Sequence, residues 1–393
     1  MNLPPQKNMH QMTGTIKSTL AALALMALAA GAGASAQTKN AAITVSAVGT
    51  DADEANGGFV YALPQTVVRF RVEVEVTRRK VGPFYRYSKK YLNIDNVITD
   101  DETQWKLKSV SIDTRGTADR SRRFRVAPTG GAPLPLFGLT PEGVLASVGS
   151  VPMPAGRQLD AAPADASEPD LAELDFDDVP LDNSVLTKTS TAAMAEETAF
   201  AIYRIRQQRM SLLNGEAQSH LPDAESYATV LGRLDEVERQ YVSLFAGKEV
   251  RQTVVRYFEL VPDRFTPAST VLFRFSTQKG FLDVMDLNGT PVYADITVGT
   301  DQRLSELPAT SKQRKQSPLT GLRYVLPGRV TVKVIDRNIP MAEATVDCAQ
   351  TGQVATLPQS MTAPGVSLTF DTTTGALLTV GMEPRPDAGK KKK

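Results

Sequence analysis

The sequence predicts an α+β fold that is predominantly antiparallel β, a sandwich or partial barrel, with a central αα-hairpin. Residues 68–76 alternate apolar and charged side chains, which is the pattern of a strand with one buried face. Residues 192–246 carry apolar side chains at helical spacing in two stretches. Residues 250–382 contain several short apolar runs divided by turn signals. Strands on both sides of two helices give the predicted class.

The first 36 residues have the pattern of a secretory signal peptide. Lys7 and Lys17 precede an uncharged run over 20–32, and the small residues Ala34-Ser35-Ala36 follow as a cleavage site. A transmembrane anchor would need about 20 apolar residues, and this run is shorter. We expect an exported protein, periplasmic or on the outer surface, that is soluble or peripherally attached and has no transmembrane span after signal removal.

Composition narrows the functional classes to which the protein can belong. A hydrophobic fraction of 41% is enough for a packed core, and a net charge of +1 gives no bulk attraction to nucleic acid, so no nucleic-acid partner is expected. Cys348 is the single cysteine, so an intramolecular disulfide is excluded. It alternates with Ala344 and Val346, which predicts a buried strand thiol and not a nucleophile.

Residues 37–126 are predicted to form an N-terminal β-rich domain. After the strand at 68–76, Gly82-Pro83 breaks the pattern and opens a short helix. Its aromatic residues Phe84, Tyr87 and Tyr91 lie three and four positions apart and therefore share one face. Residues 105–108 and 124–126 are expected to be further strands of the same sheet.

Residues 127–190 are predicted to be a flexible acidic insertion rich in proline and alanine. Nine carboxylates and no lysine or arginine lie between 160 and 187. By contrast, residues 67–90 carry eight basic side chains. The charge distribution suggests that the acidic segment 160–182 docks on the basic region in cis, or competes there with an anionic envelope partner.

Residues 191–247 are predicted to form the helical hairpin. The first helix runs from about Ala192 to Leu213, before the C-cap pair Asn214-Gly215. The second begins near Asp223 and ends before Gly247. Its apolar residues alternate steps of three and four: Tyr227, Val230, Leu234, Val237, Tyr241 and Leu244. Two such stripes bury each other when short-linked helices run antiparallel.

Residues 248–383 are predicted to be a C-terminal β-rich domain, followed by a solvated basic tail at 384–393. Apolar runs predict strands at 253–258, 271–275, 330–334 and 366–370. Turns are expected at Asn288-Gly289, as type I′, at Pro327-Gly328, and at Thr374-Gly375 between two strands.

Several motifs, each weak alone, together resemble the domain-of-unknown-function family 4831, a secreted family of Bacteroidota. They are the segments 82–92 (GPFYRYSKKYL), 202–206 (IYRIR), 212–216 (LLNGE), 241–248 (YVSLFAGK) and 324–328 (YVLPG), with Arg274-Phe-Ser276 and the Thr374 hairpin. The likeness covers most of 42–126 and 192–382. It implies an exported envelope protein and no particular reaction.

No common catalytic constellation is visible. His10 would leave with the signal peptide, so His220 is the sole histidine of the mature chain, in a polar connection. One cysteine and one histidine are too few for a typical zinc site, and residues 175–178 lack the glycine-bearing loop of an EF-hand. No cofactor or metal is expected. Carboxylate pairs of the glycosidase type stay open, because they meet only in the fold.

The best candidate surface is formed by Tyr85, Arg86, Lys89 and Lys90, which would project away from the aromatic stripe. The alternative is a small packing helix with a solvated face. We therefore expect an exported, non-catalytic structural or interaction protein of the bacterial cell envelope, with an envelope protein or an anionic envelope polymer as partner. The alternative function is an envelope or secreted hydrolase that uses carboxylates brought together by the fold.

Overall fold

The computed structural model describes residues 42–48, 58–129, 135–149, 174–215, 223–299, 321–363 and 365–382. The expected signal peptide, basic tail and His220 lie outside them. The described residues are mostly antiparallel strands with fewer helices, and one sheet curls into a half-barrel, so the predicted α+β, β-rich class is confirmed. No described helix has the length and apolarity that a membrane crossing requires.

The first sheet is built around one long hairpin. Its strands are β1 (Ala42–Ala47), β2 (Phe59–Lys80), β3 (Glu102–Thr129) and β6 (Lys248–Leu260), in the order β1-β3-β2-β6 and all antiparallel. The alternating residues of β2 are almost fully buried, as the sequence predicts: Val68, Phe70, Val72, Val74 and Val76. The strands expected at 105–108 and 124–126 are both parts of β3.

The remaining strands form two further antiparallel sheets. The second sheet has the order β11-β10-β9-β7-β8, and the third has the order β13-β12-β5-β4. Their strands are β4 (Phe137–Leu139), β5 (Leu145–Val148), β7 (Ser269–Ser276), β8 (Gly280–Leu282), β9 (Thr290–Val298), β10 (Arg323–Asp336), β11 (Ile339–Thr356), β12 (Val366–Phe370) and β13 (Leu377–Met382).

The N-terminal and C-terminal β regions share sheets and cores. Strand β6, from the expected C-terminal domain, pairs with β2 over thirteen positions from Val68↔Leu260 to Lys80↔Lys248. One apolar cluster joins Val72 of β2 with Phe273 of β7 and Val332 of β10. The boundaries expected at 126 and 248 therefore do not separate two β cores.

Part of the segment expected to be a flexible insertion is structured. Strands β4 and β5 pair with each other, and β5 pairs with β12 through Leu368↔Val148. Leu145 and Val148 are buried in a cluster with Phe370 and Tyr61. The sequence did not predict these short strands, because the many prolines of 127–190 argue against a sheet.

Two of the three expected turns differ from the sequence prediction. Neither Asn288 nor Gly289 has the positive φ that a type I′ turn needs. Pro327-Gly328 lies inside β10, where the register to β11 skips Pro327. Proline has no N–H to donate, so a bulge accommodates it within the ladder. The turn at 372–375 does connect β12 to β13, as expected.

The helices begin and end close to their predicted limits. A short helix α1 (Ser88–Leu92) follows a 3-10 turn at Tyr85–Tyr87, and α2 (Asn183–Leu186) precedes α3 (Thr191–Leu213) and α4 (Ala224–Ala246). The Asp223 carboxylate accepts the N–H of Ser226 and caps α4. Helices α3 and α4 contact each other, but residues 216–222 lie outside the described part, so the hairpin connection stays a prediction.

The three sheets meet at Thr66 of β2, which is fully buried. Its hydroxyl donates to Thr373 O (2.8 Å) in the β12–β13 turn and accepts the Ala349 N–H of β11 (3.0 Å). Its backbone N donates to Gln350 Oε1 (2.9 Å), and Gln350 Nε2 donates to its carbonyl (2.7 Å). One residue therefore joins the first sheet to both of the others.

We expect Thr66→Val to destabilise the protein by about 2–4 kcal/mol, because it leaves the Ala349 N–H and the Thr373 carbonyl without a buried partner. Denaturant unfolding followed by circular dichroism measures this. Thr331→Val is the control, since its hydroxyl meets Thr345 on an exposed face (3.1 Å) and its loss should cost less than about 0.5 kcal/mol. Equal effects of both variants would remove the special role of Thr66.

Candidate functional site: a basic aromatic surface and an acidic cleft

The segment with the predicted binding residues is fixed against the end of α4. The Phe84 N–H donates to the Leu244 carbonyl (2.9 Å), and the Phe84 and Phe245 rings lie 5.5 Å apart. A Cβ at Gly82 would lie 2.4 Å from that same carbonyl, so only glycine allows this approach. Phe84 and Leu92 are buried with α3 and α4. The segment is thus packed into the helical cluster that Phe84 and Leu92 form with α3 and α4.

The predicted side chains lie at the surface of this segment. Tyr85 is half-buried, and Arg86, Lys89 and Lys90 are exposed. Arg86 lies over the Tyr85 ring (5.5 Å) and its Nε donates to Tyr85 Oη (3.0 Å). Lys90 lies over the Tyr91 ring (4.6 Å) and donates to its hydroxyl (3.1 Å). Aromatic rings therefore hold two of the cations in place.

Most other cations of the basic region already have carboxylate partners. Lys89 pairs with Asp95, Lys80 with Asp175, and Arg79 with Glu249 (2.7 Å). Within the described ranges, neither Arg86 nor Lys90 has a carboxylate within ion-pair distance. Of the four sequence candidates, Arg86 and Lys90 are thus cations without a carboxylate partner among the described residues.

A neighbouring helix extends this surface. Tyr203 of α3 is 48% exposed, and its hydroxyl donates to the Tyr91 carbonyl (2.7 Å). Arg206 lies over the Tyr203 ring (5.7 Å). We call Tyr85, Arg86, Lys90, Tyr91 and Tyr203 the basic aromatic surface. Sequence reasoning missed Tyr203, because its place beside Tyr91 depends on a contact between segments far apart in the chain.

The end of the acidic segment contacts the basic region at Lys80 and packs mainly on the helical cluster. Lys80 pairs with Asp175, and Lys248 donates to the Asp175 carbonyl. Leu174 and Val179 are buried, and the Tyr241 hydroxyl donates to the Pro180 carbonyl. Burial of the apolar side chains stabilises this contact more than the ion pair does, because the ion pair is exposed to solvent. Residues 160–173 of the predicted docking segment lie outside the described part.

The ion pair shifts the pKa values of both partners away from neutral pH. The hydrogen bond from Lys80 holds the pKa of Asp175 below its usual range, and the same bond raises the pKa of Lys80. The pair's contribution is therefore present at neutral pH. It is lost as pH falls through the lowered pKa of Asp175, or as pH rises through the raised pKa of Lys80.

A separate cleft of about 610 Å³ opens between β3, β11 and the turn after β12. Asp113, Asp347 and Asp371 line it, together with threonine residues and Leu378. Asp371 Oδ1 accepts the Thr373 N–H (2.7 Å) and so holds its own turn. Sequence reasoning did not find this cleft, because its aspartates come from three distant segments.

The remaining reactive groups give no site among the described residues. Burial raises the pKa of the Cys348 thiol to about 12, and the side chain is fully buried in the core, as the strand pattern predicts. Such a thiol is not a nucleophile at neutral pH. In the described part of the chain, no group of three or more histidine, cysteine or carboxylate residues could hold a metal ion.

Comparison with known proteins gives one match. The family model described as a domain of unknown function (DUF4831) matches residues 57–378, which is most of the chain. The resemblance that the sequence motifs indicate is thereby confirmed. No curated protein and no solved structure matches.

We expect Val179→Asp to release residues 174–182, because an unpaired carboxylate at this buried position costs more than the about 1–3 kcal/mol of a neutral polar group. Hydrogen exchange measured by mass spectrometry should show loss of amide protection over this segment. Lys80→Gln should leave the exchange nearly unchanged, since the pair is exposed. The reverse pattern would mean that charge, and not apolar burial, holds the segment.

Proposed function

This chain belongs to the DUF4831 family, and we propose that it is an exported, non-catalytic interaction protein of the bacterial cell envelope. The proposed site is the basic aromatic surface, and the proposed partner is an anionic envelope polymer or an envelope protein with an acidic surface. The observation that carries the proposal is the pair Arg86 and Lys90, held over aromatic rings at the surface with no carboxylate of the described residues paired to them.

The geometry supports recognition of an anion. Arg86 and Lys90 are four residues apart and both exposed, and the buried side chains of the same segment, Phe84 and Leu92, pack with α3 and α4. Because the cations are held by rings in advance, little side-chain entropy is lost on binding. Tyrosine and arginine are also the residue types that most often dominate interface energies.

Sequence evidence supports the cellular setting. The pattern over residues 1–36 is that of a signal peptide, and the family motifs resemble secreted proteins of Bacteroidota. In an exported protein with a single, buried cysteine, stability depends on ordinary burial. An envelope location places the basic surface among anionic polymers and proteins.

One observation favours a hydrolase as the second candidate. The cleft lined by Asp113, Asp347 and Asp371 is concave and could hold a ligand. Paired carboxylates can serve as general acid and base. The roles of two aspartates weaken this candidate, because Asp371 holds its turn and Asp347 is 56% exposed beside Arg329 (3.8 Å).

We expect the double variant Arg86→Glu/Lys90→Glu to lose its partner when the mature chain is affinity-purified from crosslinked native envelope. The reversal replaces attraction by repulsion and leaves the buried aromatic contacts in place. Mass spectrometry of the retained material measures the loss, and circular dichroism checks that the variant is folded.

The matched control is Arg233→Glu/Arg239→Glu, which changes the net charge equally at exposed positions of α4. Retention of the partner by the control and its loss from the double variant support the proposal. Equal retention by both variants contradicts it. Turnover of an envelope substrate that disappears in Asp113→Asn and Asp347→Asn would instead establish the hydrolase.

A further inference from the structure

The edge strands of the three sheets differ in the features that prevent pairing with another chain. Strands β4 and β8 are three residues long, and the longer edges β6 and β11 carry charged residues such as Arg251 and Glu343. Short length and charge are the usual devices against pairing with another chain. Strand β1 has no exposed large apolar side chain among its described ones. The remaining edge, β13, lacks these protections.

Strand β13 has the sequence LLTVGM, without charge or proline. Leu378, Val380 and Met382 are 56%, 47% and 80% exposed. An edge strand presents unpaired N–H and C=O groups, and here apolar side chains accompany them. Such an edge is a template for a further strand.

The register shows why these side chains are apolar. Val380 lies opposite Leu368 of β12, and Met382 lies opposite Val366. Opposite residues of an antiparallel pair share one face, and Leu368 is fully buried in the core beneath the third sheet. Val380 and Met382 thus continue that core face onto a strand that nothing covers among the described residues.

We propose that β13 pairs with β13 of a second copy of this chain, antiparallel across a two-fold axis centred near Val380. A two-fold axis brings the same strand of both copies together. The apolar residues at 378–382 of one copy therefore lie beside those of the other. The two third sheets then form one continuous sheet of eight strands.

Charge complementarity favours a second copy over another partner. In an antiparallel pair, the end of one β13 lies beside the start of the other. Leu378, near that start, lines the acidic cleft with Asp113, Asp347 and Asp371. The residues that follow β13 in the sequence carry Arg385 and Lys390–Lys393 against Glu383 and Asp387. In this arrangement the acidic cleft of one copy lies beside the point where β13 of the other copy ends and this basic sequence begins.

The test is the oligomeric state of the mature chain, residues 37–393, by sedimentation velocity. We expect a dimer, and a monomer for Val380→Lys and for Met382→Lys, because a lysine at 380 faces its own copy across the axis and a lysine at 382 faces the apolar Leu378 of the second copy. Met382 is 80% exposed, so we expect Met382→Lys to leave the fold intact. Val354→Lys is the matched control, because Val354 is 41% exposed on the edge strand β11, and it should remain dimeric.

A cysteine at the axis tests the register directly. Under oxidising conditions, Val380→Cys should form an intermolecular disulfide, and Val354→Cys should not, while Cys348 is buried and does not interfere. Glutamate at positions 390–393 should weaken the dimer and reverse its salt dependence, because salt then screens a repulsion in place of an attraction. A monomeric wild-type chain up to its solubility limit, or a dimer that survives both Val380→Lys and Met382→Lys, would overturn the proposal.

Discussion

The fold depends on one buried hydroxyl that three sheets share. Thr66 lies on the central hairpin of the first sheet and bonds to β11 of the second and to the β12–β13 turn of the third. Opposite Thr66, a Cβ at Gly116 would lie 2.2 Å from the Thr372 carbonyl, so the turn packs directly on the β3 backbone. The Tyr61 hydroxyl adds a second link, since it donates to the Arg323 carbonyl and accepts its N–H (2.8 Å). These bonds fix the positions of the sheets relative to one another, and the apolar clusters pack between them.

This junction determines where the surfaces of interest lie. The β12–β13 turn that bonds to Thr66 also lines the acidic cleft, together with β3 and β11. It also leaves the far end of the β2–β3 hairpin free to hold the segment 81–101, which packs on α3 and α4. The basic aromatic surface is therefore supported by the helical cluster, and the acidic cleft by the sheets. Two sites of opposite charge arise on separately supported parts of one chain.

Local patterns predict much of this structure. Alternation in 68–76 identifies β2, and Asp223 with Gly247 marks both ends of α4, because each signal depends on neighbouring residues only. Which strands pair with each other cannot be predicted from such local signals. Nothing near Lys248 indicates that β6 adds to β2, and nothing in the proline-rich segment indicates that β5 pairs with β12. Likewise, spacing predicts the exposed cations, while the ion pairs that neutralise Lys80 and Lys89 come from Asp175 and Asp95 in folded contact.

The most direct measurement of the proposed function is site-specific photo-crosslinking in intact cells. A photoreactive phenylalanine analogue replaces Tyr85 in the basic aromatic surface, and the same analogue replaces Phe265, an aromatic residue 92% exposed on a loop, as the control. A discrete adduct from position 85 and none from position 265 is the expected result. No adduct at position 85, in cells where the protein is exported and folded, would contradict an interaction through this surface.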